Sequence, residues 1–486
     1  DAFMQTYRQL TSAVCLKLVY FVLCHLQGCF CHRVLPEAAL QVEQLQLRRL
    51  PNAEVALQQD ETSNTCASHL DEVDALVADN LRTDLAYWQG KRPLNIQHLD
   101  NLVRLFPQSD VKRLILIYNG NVYFPNQTAS VTRLEGRVNK WLHHVWRALR
   151  KYAKPEPAGL GFPNALFYVN VADEGICSKA KNLCQAPILS LVKRIKTYEE
   201  LFDAPPASDI DTDILFPLPV EKWAPQPLWS FPMHKKVHRA VFRGTPFCSG
   251  PPHKYVKCSR VHLANLTYYG GGFHMGLDVG LTSDSMQGGI TDPLTGSLVV
   301  GPLPRMEGMP MQEHARYRYL LNLDGLTASY RLAKLMHLNS PVLKQDSMWG
   351  EYYYRSLRDG EHYIRIFRSG PNDVLDVIER YRDKDQELQR IADNAQRFAA
   401  RYLCMRARML YLKRLLQEYM LLFEDMEHVI STQLLPRLLP QAEREEAAAA
   451  AERAAAQAKK EAARAAARAA AARKVPRSAG GGGGGA

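Results

Sequence analysis

The sequence predicts an α/β fold, because stretches with the two-residue periodicity of strands alternate with stretches of helical periodicity. In one stretch, apolar and aromatic residues occupy every second position, at Tyr317, Tyr319, Leu321 and Leu323. Gly325 separates it from a run of good helix formers. The composition, 46% hydrophobic and 23% charged, is typical of a globular protein rather than a disordered one.

The length and net charge of the chain limit the number of domains and the kinds of ligand to expect. A chain of 486 residues can hold two domains of ordinary size. The net charge is +11; the tail from residue 441 holds nine Lys/Arg against five Asp/Glu and so carries +4, which leaves +7 for the body. This excess suits a cationic site for a nucleotide diphosphate and does not require nucleic acid as a partner.

We expect residues 1–31 to form an N-terminal helix and a cysteine cluster. Lys17 and His25 interrupt the apolar stretch Thr11–Cys31, which therefore lacks the run of about 20 apolar residues that spans a bilayer. The visible chain is thus predicted to contain no membrane span. Because residue 1 is Asp, we expect a fragment or a processed chain, with any signal peptide or anchor upstream.

The cysteines leave several pairings open. Cys24, Cys29 and Cys31 have the spacing C-x4-C-x-C and precede His32, but a second knuckle with zinc-ligand spacing is lacking. Two further pairs could close local loops, namely Cys177/Cys184 and Cys248/Cys258. Ten cysteines and sequons at Asn126 and Asn265 favour an oxidising, secretory compartment.

The first half of the chain predicts a hairpin, a helix and a strand in that order. Asn119-Gly120 is a good hairpin turn between two short strands. An amphipathic helix is predicted for Arg133–Ala153. The β-rich run NALFYVNV then leads to Asp173, with Glu174 beside it. Active-site groups gather at the carboxyl ends of strands in open α/β sheets, although an aspartate there can instead cap a turn.

An acidic loop suggests a metal site only weakly. Asp209, Asp211 and Asp213 imitate the D-x-D motif with which metal-dependent glycosyltransferases hold a divalent ion. A loop rich in Pro, Ser and Asp produces such triplets readily, so we attribute the triplet to loop composition and predict no metal ligands.

The strand, glycine and helix around Gly325 predict an anion site. This arrangement aims backbone N–H groups and the positive end of a helix dipole at an anion. Ser329 adds a hydroxyl, and Arg331 adds a planar cation suited to phosphate oxygens. The alternative is an ordinary strand-to-helix turn of an α/β domain.

The segment His314–Ile366 resembles the signature of glycosyltransferase family 90, which contains the protein O-glucosyltransferases and the capsule-type xylosyltransferases. The shared features occur in the same order: a strand ending in glycine, a "SYR" helix start, a buried strand, a W–E–aromatic cluster and an "HYI" strand. In this sequence they are Gly325, Ser329-Tyr330-Arg331, Ser340–Leu343, Trp349-Gly350-Glu351-Tyr352-Tyr353 and His362-Tyr363-Ile364.

The resemblance implies a GT-B architecture, with two Rossmann-like domains facing a cleft and a C-terminal helix crossing back to the first domain. The corresponding boundaries are 32–228 for the first, acceptor-side domain, 229–395 for the second, donor-binding domain and 396–440 for the return helix. Residues 441–486 form a low-complexity Ala/Arg/Glu and Gly tail, predicted to be an exposed helix that ends in a flexible segment.

The resemblance also assigns roles to single residues. Asp173 matches the family's catalytic base, and Tyr123 and Phe124 match the acceptor side, although an aromatic strand end packed in the core is an equal alternative. The residues matched to donor binding are Arg243, Gly244, Thr245, Arg260, Thr327, Ala328, Ser329 and Arg331. The family's disulfides imply Cys24–Cys31 and Cys29–Cys404.

The implied reaction is transfer of xylose or glucose from a UDP-sugar to a hydroxyl of a protein or glycan, with inversion and without a metal or other cofactor. The implied location is the lumen of the secretory pathway, in the endoplasmic reticulum or the Golgi. Two alternatives remain at this stage: a metal-dependent transferase using Asp211 and Asp213, and a non-catalytic relative that binds carbohydrate or nucleotide-sugar.

Overall fold

The computed structural model describes residues 58–60, 66–127, 130–196, 210–220, 228–247, 255–256, 258–283 and 303–473. The helix and cysteine cluster predicted for residues 1–31 lie outside this part of the chain, as do Asp209 and Cys248.

The strands are short, and most of them belong to two sheets. They are β1 (Gln58–Asp60), β2 (Lys112–Tyr118), β3 (Asn121–Tyr123), β4 (Ala165–Asn170), β5 (Leu189–Ser190), β6 (Lys193–Arg194), β7 (Ile214–Leu215), β8 (Leu228–Ser230), β9 (Val237–Gly244), β10 (Leu277–Leu281), β11 (Tyr317–Asn322), β12 (Val342–Gln345), β13 (Trp349–Gly350) and β14 (Ile364–Ile366).

The α-helices flank these strands and dominate the C-terminal part. They are α1 (Asp74–Leu76), α2 (Arg82–Gln89), α3 (Ile96–Leu105), α4 (Lys140–Tyr152), α5 (Ser259–Tyr268), α6 (Leu332–Leu335), α7 (Asp373–Arg380), α8 (Asp385–Tyr402), α9 (Met405–Met420), α10 (Met426–Val429) and α11 (Leu435–Arg473). Turns of 3-10 helix occur at Asp71–Val73, Met233–Lys235, Met311–Arg316 and Tyr354–Ser356, and π-helical turns at Val77–Leu81 and Ile430–Leu434.

The chain divides into two compact units. Unit 1 comprises Asp1–Asn64, Gln226–Ser347 and Leu357–Ala400, and unit 2 comprises Thr65–Pro225, Met348–Ser356 and Arg401–Ala486. Residues 348–356, which were predicted to belong to the domain 229–395, fall in unit 2. This segment joins unit 2 because β13 pairs antiparallel with β6.

Unit 1 is organised around a five-stranded parallel sheet with the order β10-β9-β11-β12-β14. Along the chain these are the second, first, third, fourth and fifth strands of the sheet, so the strand order reverses between β9 and β11. Apolar side chains from the sheet pack with those of α5, α7 and α8 in one core. Five of the six residues of β11 are buried, since helices cover both faces of a parallel sheet.

Unit 2 contains a mixed sheet with the order β3-β2-β4-β5-β7. The predicted hairpin joins β2 and β3, which pair antiparallel from Tyr118 and Asn121. Asn119 and Gly120 at its turn have φ values of 45° and 73°, as a type I′ turn requires. The strand β4 is antiparallel to β2 and parallel to β5, and all six of its residues are buried.

The structure shortens two predicted helices. The helix predicted for Arg133–Ala153 begins only at Lys140, because the Asn139 side chain caps it by accepting a hydrogen bond from the Trp141 N–H at 2.8 Å. The helix predicted after Gly325 is reduced to α6, which has four residues. Asn339, with a φ of 44°, takes the chain out of helical geometry shortly before β12.

Two disulfides lie in unit 2, Cys66–Cys404 and Cys177–Cys184. The pairing of Cys404 with Cys29 is therefore wrong. Hydrogen bonds beside both cysteines hold the two segments together: the Ala67 N–H donates to the Arg401 carbonyl, and Arg406 Nε donates to the Ser68 carbonyl. Cys258 in unit 1 is also disulfide-bonded, and Cys24, Cys29 and Cys31 lie outside the described residues.

We expect mass mapping of the non-reduced protein to recover the Cys66 peptide joined to the Cys404 peptide. The two Cα atoms are 6.0 Å apart, a distance that a disulfide spans without backbone movement. The short loop closed by Cys177–Cys184 serves as an internal standard for complete oxidation. Recovery of Cys404 with Cys29, or as a free thiol, would contradict the pairing.

The C-terminal helices extend beyond the boundary at residue 441 that the sequence suggested. The helix α11 runs without interruption from Leu435 to Arg473 and is mostly exposed. Its Glu445 carboxylate caps the loop at residues 130–132 by accepting hydrogen bonds from Ser130 Oγ, Val131 N and Thr132 Oγ1. In the described part of the chain, no helix combines the length and apolar character that crossing a bilayer needs.

Candidate active site

The strand order of unit 1 indicates where a ligand should bind. In open α/β sheets, ligands bind beyond the carboxyl ends of the strands at the point where the order reverses. In unit 1 this point lies between β9, which ends at Gly244, and β11, which is followed by Gly325. Two guanidinium groups, those of Arg331 and Arg260, lie at these strand ends.

Arg331 is anchored to the end of β9. Its Nη1 donates to the Arg243 carbonyl at 2.6 Å, and its guanidinium carbon lies 4.8 Å from the centre of the Phe242 ring. A Cβ on Gly244 would come within 3.1 Å of Arg331 Nη2 and 2.8 Å of the Phe242 ring. Glycine at position 244 therefore allows the guanidinium to lie directly against the backbone.

Arg260 connects the two strand ends from the first turn of α5. Its Nη1 donates to the Thr245 carbonyl at 3.1 Å and its Nη2 to the Leu323 carbonyl at 3.0 Å. A Cβ on Gly325 would approach Arg260 Nη2 to 3.1 Å. Arg260 Nε has no hydrogen-bond partner among the described residues.

The site carries an excess of positive charge. Burial lowers the pKa of Arg331 to about 10, and burial together with the neighbouring Arg331 lowers the pKa of Arg260 to about 9. Both side chains therefore stay protonated near pH 7. Asp324 acts in the opposite direction on Arg260, but burial raises the pKa of the Asp324 carboxyl to about 6. Two buried guanidinium groups beside the single carboxylate of Asp324 favour an anionic ligand.

Polar side chains hold the ends of α5, β11 and β12 together. Gln345 Oε1 accepts hydrogen bonds from Ser259 Oγ at 2.7 Å and from the Asp324 N–H at 3.1 Å, and Ser347 is a hydrogen-bond partner of the Asp324 carboxyl. Sequence reasoning missed Asp324 and Gln345. Asp324 could have been found, because it follows a buried strand in the same way as Asp173.

Thr327, Ala328 and Ser329 are all buried in the turn that follows β11. The turn is closed by a hydrogen bond from the Gly325 N–H to the Thr327 carbonyl at 3.0 Å. The predicted contribution of a helix dipole is wrong here, because α6 has only four residues and begins after Arg331. The local positive potential comes instead from the two guanidinium groups.

Arg243 has a different environment from the one expected of a ligand contact. Its Nη2 forms a buried ion pair with Asp278 Oδ1 at 2.6 Å, and its Nη1 donates to the Asp278 carbonyl at 2.7 Å. The guanidinium thus fastens β9 to β10, and only its backbone carbonyl reaches the site, as the acceptor for Arg331. Thr245 likewise contributes its carbonyl, to Arg260.

Asp173 lies in unit 2, three residues beyond the end of β4, and its side chain is exposed. Asn170, the last residue of β4, organises the turn: its Oδ1 accepts from the Ala172 N–H at 3.0 Å and its Nδ2 donates to the Glu174 carbonyl at 2.7 Å. Asp173 therefore lies in a turn whose backbone is held by hydrogen bonds from Asn170 to the residues on either side of it.

The aspartates of the acidic loop that the structure describes are used inside unit 2. Asp211 forms a buried ion pair with Arg194, 2.6 Å from Nη2 to Oδ1. Asp213 accepts hydrogen bonds from the Cys177 N–H at 2.7 Å and from Ser190 Oγ at 2.6 Å, and burial raises the pKa of its carboxyl. Asp213 thus stabilises the loop that follows Asp173, and Asp211 holds Arg194 of β6.

Tyr123 and Phe124 are buried in unit 2. Phe124 is fully buried and its N–H donates to the Val131 carbonyl at 2.7 Å, while Tyr123 pairs with Leu116 across the hairpin. Burial raises the pKa of the Tyr123 hydroxyl. These placements are those of an aromatic strand end that packs in the core, the alternative to an acceptor-side role.

The segment that contains Arg260 and Arg331 matches a known family. Residues 229–460 match the model described as Glycosyl transferase family 90. This segment belongs to glycosyltransferase family 90. The matched residues of the family 90 segment include the whole parallel sheet of unit 1 together with Gly244, Arg260, Gly325 and Arg331.

Curated relatives of the family 90 segment are similar over about a hundred residues. Protein O-glucosyltransferase 2 of Danio rerio is 35% identical over 116 residues, which is 24% of this chain and 23% of that protein. Human protein O-glucosyltransferase 3 is 36% identical, over 21% of this chain and 20% of that protein. The O-glucosyltransferase rumi homolog of Anopheles gambiae is 33% identical, over 22% and 28%. The matches thus span about a quarter of these relatives.

A solved structure was also found. The crystal structure of Anabaena HepE in complex with UDP-glucose covers 36% of this chain and 48% of that chain, with 11% sequence identity and a TM-score of 0.24. This score is too low to support a comparison of the folds.

Proposed function

We propose that this protein is an inverting, metal-independent glycosyltransferase that moves glucose or xylose from a UDP-sugar to a hydroxyl of a protein or glycan acceptor. The observation that carries the proposal is the pair of buried arginines at the switch point of the unit 1 sheet, inside the segment that matches family 90. The relatives named protein O-glucosyltransferases support glucose and a protein acceptor. In this proposal the two units are the two domains of a GT-B enzyme.

The arginines would act on the leaving group. When the bond between the sugar and the diphosphate breaks, negative charge grows on the diphosphate oxygens, and preorganised donors stabilise that charge most when water is excluded. Arg331 and Arg260 are held by backbone carbonyls, so little reorganisation is needed when the charge develops. Arg243 would support the site from behind by anchoring β9 to β10 and by orienting Arg331.

Asp173 would act on the acceptor. A hydroxyl is a poor nucleophile, so a positioned carboxylate must take its proton as the oxygen attacks the anomeric carbon. Attack from the side opposite the leaving diphosphate in a single displacement gives inversion. The exposed side chain of Asp173 at a strand end of unit 2 suits this role.

The disulfides support a location in the secretory lumen. Disulfides persist in oxidising compartments such as the endoplasmic reticulum and are rare in the cytosol. Cys66–Cys404 ties together two segments of unit 2 that lie 338 residues apart in the chain. We therefore propose that the protein works in the endoplasmic reticulum or the Golgi.

A panel of UDP-sugars tests the function. The chain is incubated with UDP-glucose, UDP-xylose and other UDP-sugars, with and without folded protein modules or glycans, and the release of free UDP is measured. We expect release with UDP-glucose or UDP-xylose that rises when a suitable acceptor is added. Donor binding without any UDP release would instead indicate a non-catalytic relative that binds nucleotide-sugar.

Excess chelator provides the control for the metal-dependent alternative. Asp211 and Asp213 are already used in buried contacts of the protein, so we expect the rate of UDP release to be unchanged by chelator. Loss of activity with chelator and its recovery with a divalent ion would contradict the metal-independent mechanism.

A further inference from the structure

Unit 1 also contains a cavity at the amino ends of its parallel strands, opposite the strand ends that form the candidate active site. The first residues of neighbouring strands line it: His238 and Arg239 in β9, Gly276 just before β10, and Arg318 in β11. We call it the amino-edge cavity. Its volume is about 340 Å³, which lies within the range of small-molecule sites. The strand β9 has eight residues, so at about 3.3 Å per residue its amino and carboxyl ends are roughly 25 Å apart.

The amino-edge cavity is basic and partly apolar. Its basic residues are His238, Arg239, His274, Arg318 and Arg382. None of the described residues that line it is acidic, and its apolar wall includes Phe273, Met275 and Ile378. A wider hollow of about 650 Å³ continues outward from His238, Arg318 and Arg382, and acidic residues appear only there, at Asp383, Asp385 and Glu387.

Arg318 is the buried cation of this cavity, with 2% of its surface exposed. Its Nη2 donates to the Arg382 carbonyl at 2.6 Å and pairs with Asp385 at 2.5 Å. Its Nε has no hydrogen-bond partner in the part of the chain that the structure describes. A buried donor without a partner is unfavourable unless an acceptor is supplied, and a ligand in the cavity would supply one.

An irregularity in β11 brings Arg318 to the cavity. The pairing of β11 with β9 shifts register between Tyr317 and Tyr319. In a regular strand, neighbouring side chains point to opposite faces of the sheet, whereas a bulge redirects a side chain. Arg318 and Tyr319 therefore both line the amino-edge cavity.

Arg239 is stacked at the cavity wall. Its guanidinium carbon lies 3.9 Å from the centre of the Phe273 ring, and its Nε donates to the Phe273 carbonyl at 3.4 Å. A guanidinium stacked in this way presents its planar edge beside the ring, where an oxyanion can be bound. Gly276 has a φ of 99°. Its lack of a side chain lets the backbone contact Ile378, which also lines the cavity.

We propose that the amino-edge cavity is a binding site for a small phosphomonoester, separate from the candidate active site. Its phosphate group binds Arg239 and Arg318, because planar guanidinium groups match the tetrahedral oxyanion. Its organic part packs against Phe273 and Met275, which a free inorganic ion would leave unused. This site does not depend on the proposed transferase activity, since it shares no residue with the anion site near Arg331.

Calorimetric titration of the 486-residue chain with phenyl phosphate tests the site, with UDP present in excess so that any nucleotide site is filled. We expect saturable binding that is weakened at least about tenfold by Arg239→Gln, the loss typical of one charge-assisted contact. The matched control is Arg380→Gln, which removes an exposed arginine of the neighbouring helix α7 that does not line the cavity. Its affinity should equal that of the unmodified protein.

Two further measurements complete the test. His274→Glu adds a carboxylate at an exposed lining residue, so it should weaken binding without disturbing the fold, even if Arg239→Gln proves unstable. Inorganic phosphate should bind more weakly than phenyl phosphate; equal affinity would overturn the assignment to a phosphomonoester. Absence of saturable binding, or the same affinity in Arg239→Gln, His274→Glu and Arg380→Gln, would overturn the site.

Discussion

Asp173→Asn is expected to lower the turnover of the proposed transferase by about 10²–10⁴-fold, the usual contribution of a general base. Asparagine keeps the shape and hydrogen-bonding capacity of aspartate but cannot accept the acceptor proton at neutral pH. Affinity for the UDP-sugar should barely change, because the arginines proposed to hold the diphosphate belong to unit 1. The two quantities are read from acceptor-dependent UDP release and from donor titration.

The fold should tolerate this substitution, because the Asp173 side chain is exposed and Asn170 holds the turn through two hydrogen bonds. Glu174→Gln, at the neighbouring exposed residue, is the matched control and should retain full turnover. Normal turnover in Asp173→Asn with loss in Glu174→Gln would move the base to Glu174. Loss of donor affinity or of thermal stability in Asp173→Asn would identify a structural role.

Arg331→Ala should weaken UDP binding by about 10- to 150-fold, which corresponds to the 1.5–3 kcal/mol typical of a hydrogen bond to a charged group. Arg331→Lys should not restore the affinity, because an ammonium group cannot bond the Arg243 carbonyl and a phosphate oxygen with the fixed geometry of a guanidinium. Equilibrium titration with UDP measures both variants. Unchanged affinity in Arg331→Ala would remove Arg331 from the donor site.

Arg358→Ala serves as the control for the loss of an arginine from unit 1, because 76% of the Arg358 side chain is exposed. Its UDP affinity and melting temperature should match those of the unmodified protein. Since Arg331 also bonds the end of β9, melting curves must accompany the titrations. A variant that loses affinity but keeps its melting temperature has lost a ligand contact rather than its fold.

Local patterns predicted several elements of both units well. Alternating residues predicted β11, Asn119-Gly120 predicted the hairpin, and the run ending in Val171 predicted β4. These features depend on side-chain periodicity and on turn preferences, both of which are local properties of the chain. For the same reason, Asp173 could be recognised as a residue that follows a strand.

Features that depend on distant partners could not be predicted in the same way. Arg243 was assigned to the donor, but its guanidinium is bound by Asp278, a residue of the adjacent strand. Cys404 was assigned to Cys29, whereas the backbone around residue 67 brings Cys66 to it. The helix after Gly325 was overestimated because the propensity of LAKLMHL favours a longer helix than the short distance to β12 allows.

The pairing of Cys66 with Cys404 has a consequence for biosynthesis. During translation, Cys66 emerges 338 residues before its partner exists, an interval of roughly 20 to 70 s at common elongation rates of about 5–20 residues per second. The nascent chain already contains Cys15, Cys24, Cys29 and Cys31 at that stage. Any bridge that Cys66 forms with them must be exchanged before the Cys66–Cys404 bond can form, so we expect thiol–disulfide isomerisation to speed the oxidative maturation of this protein.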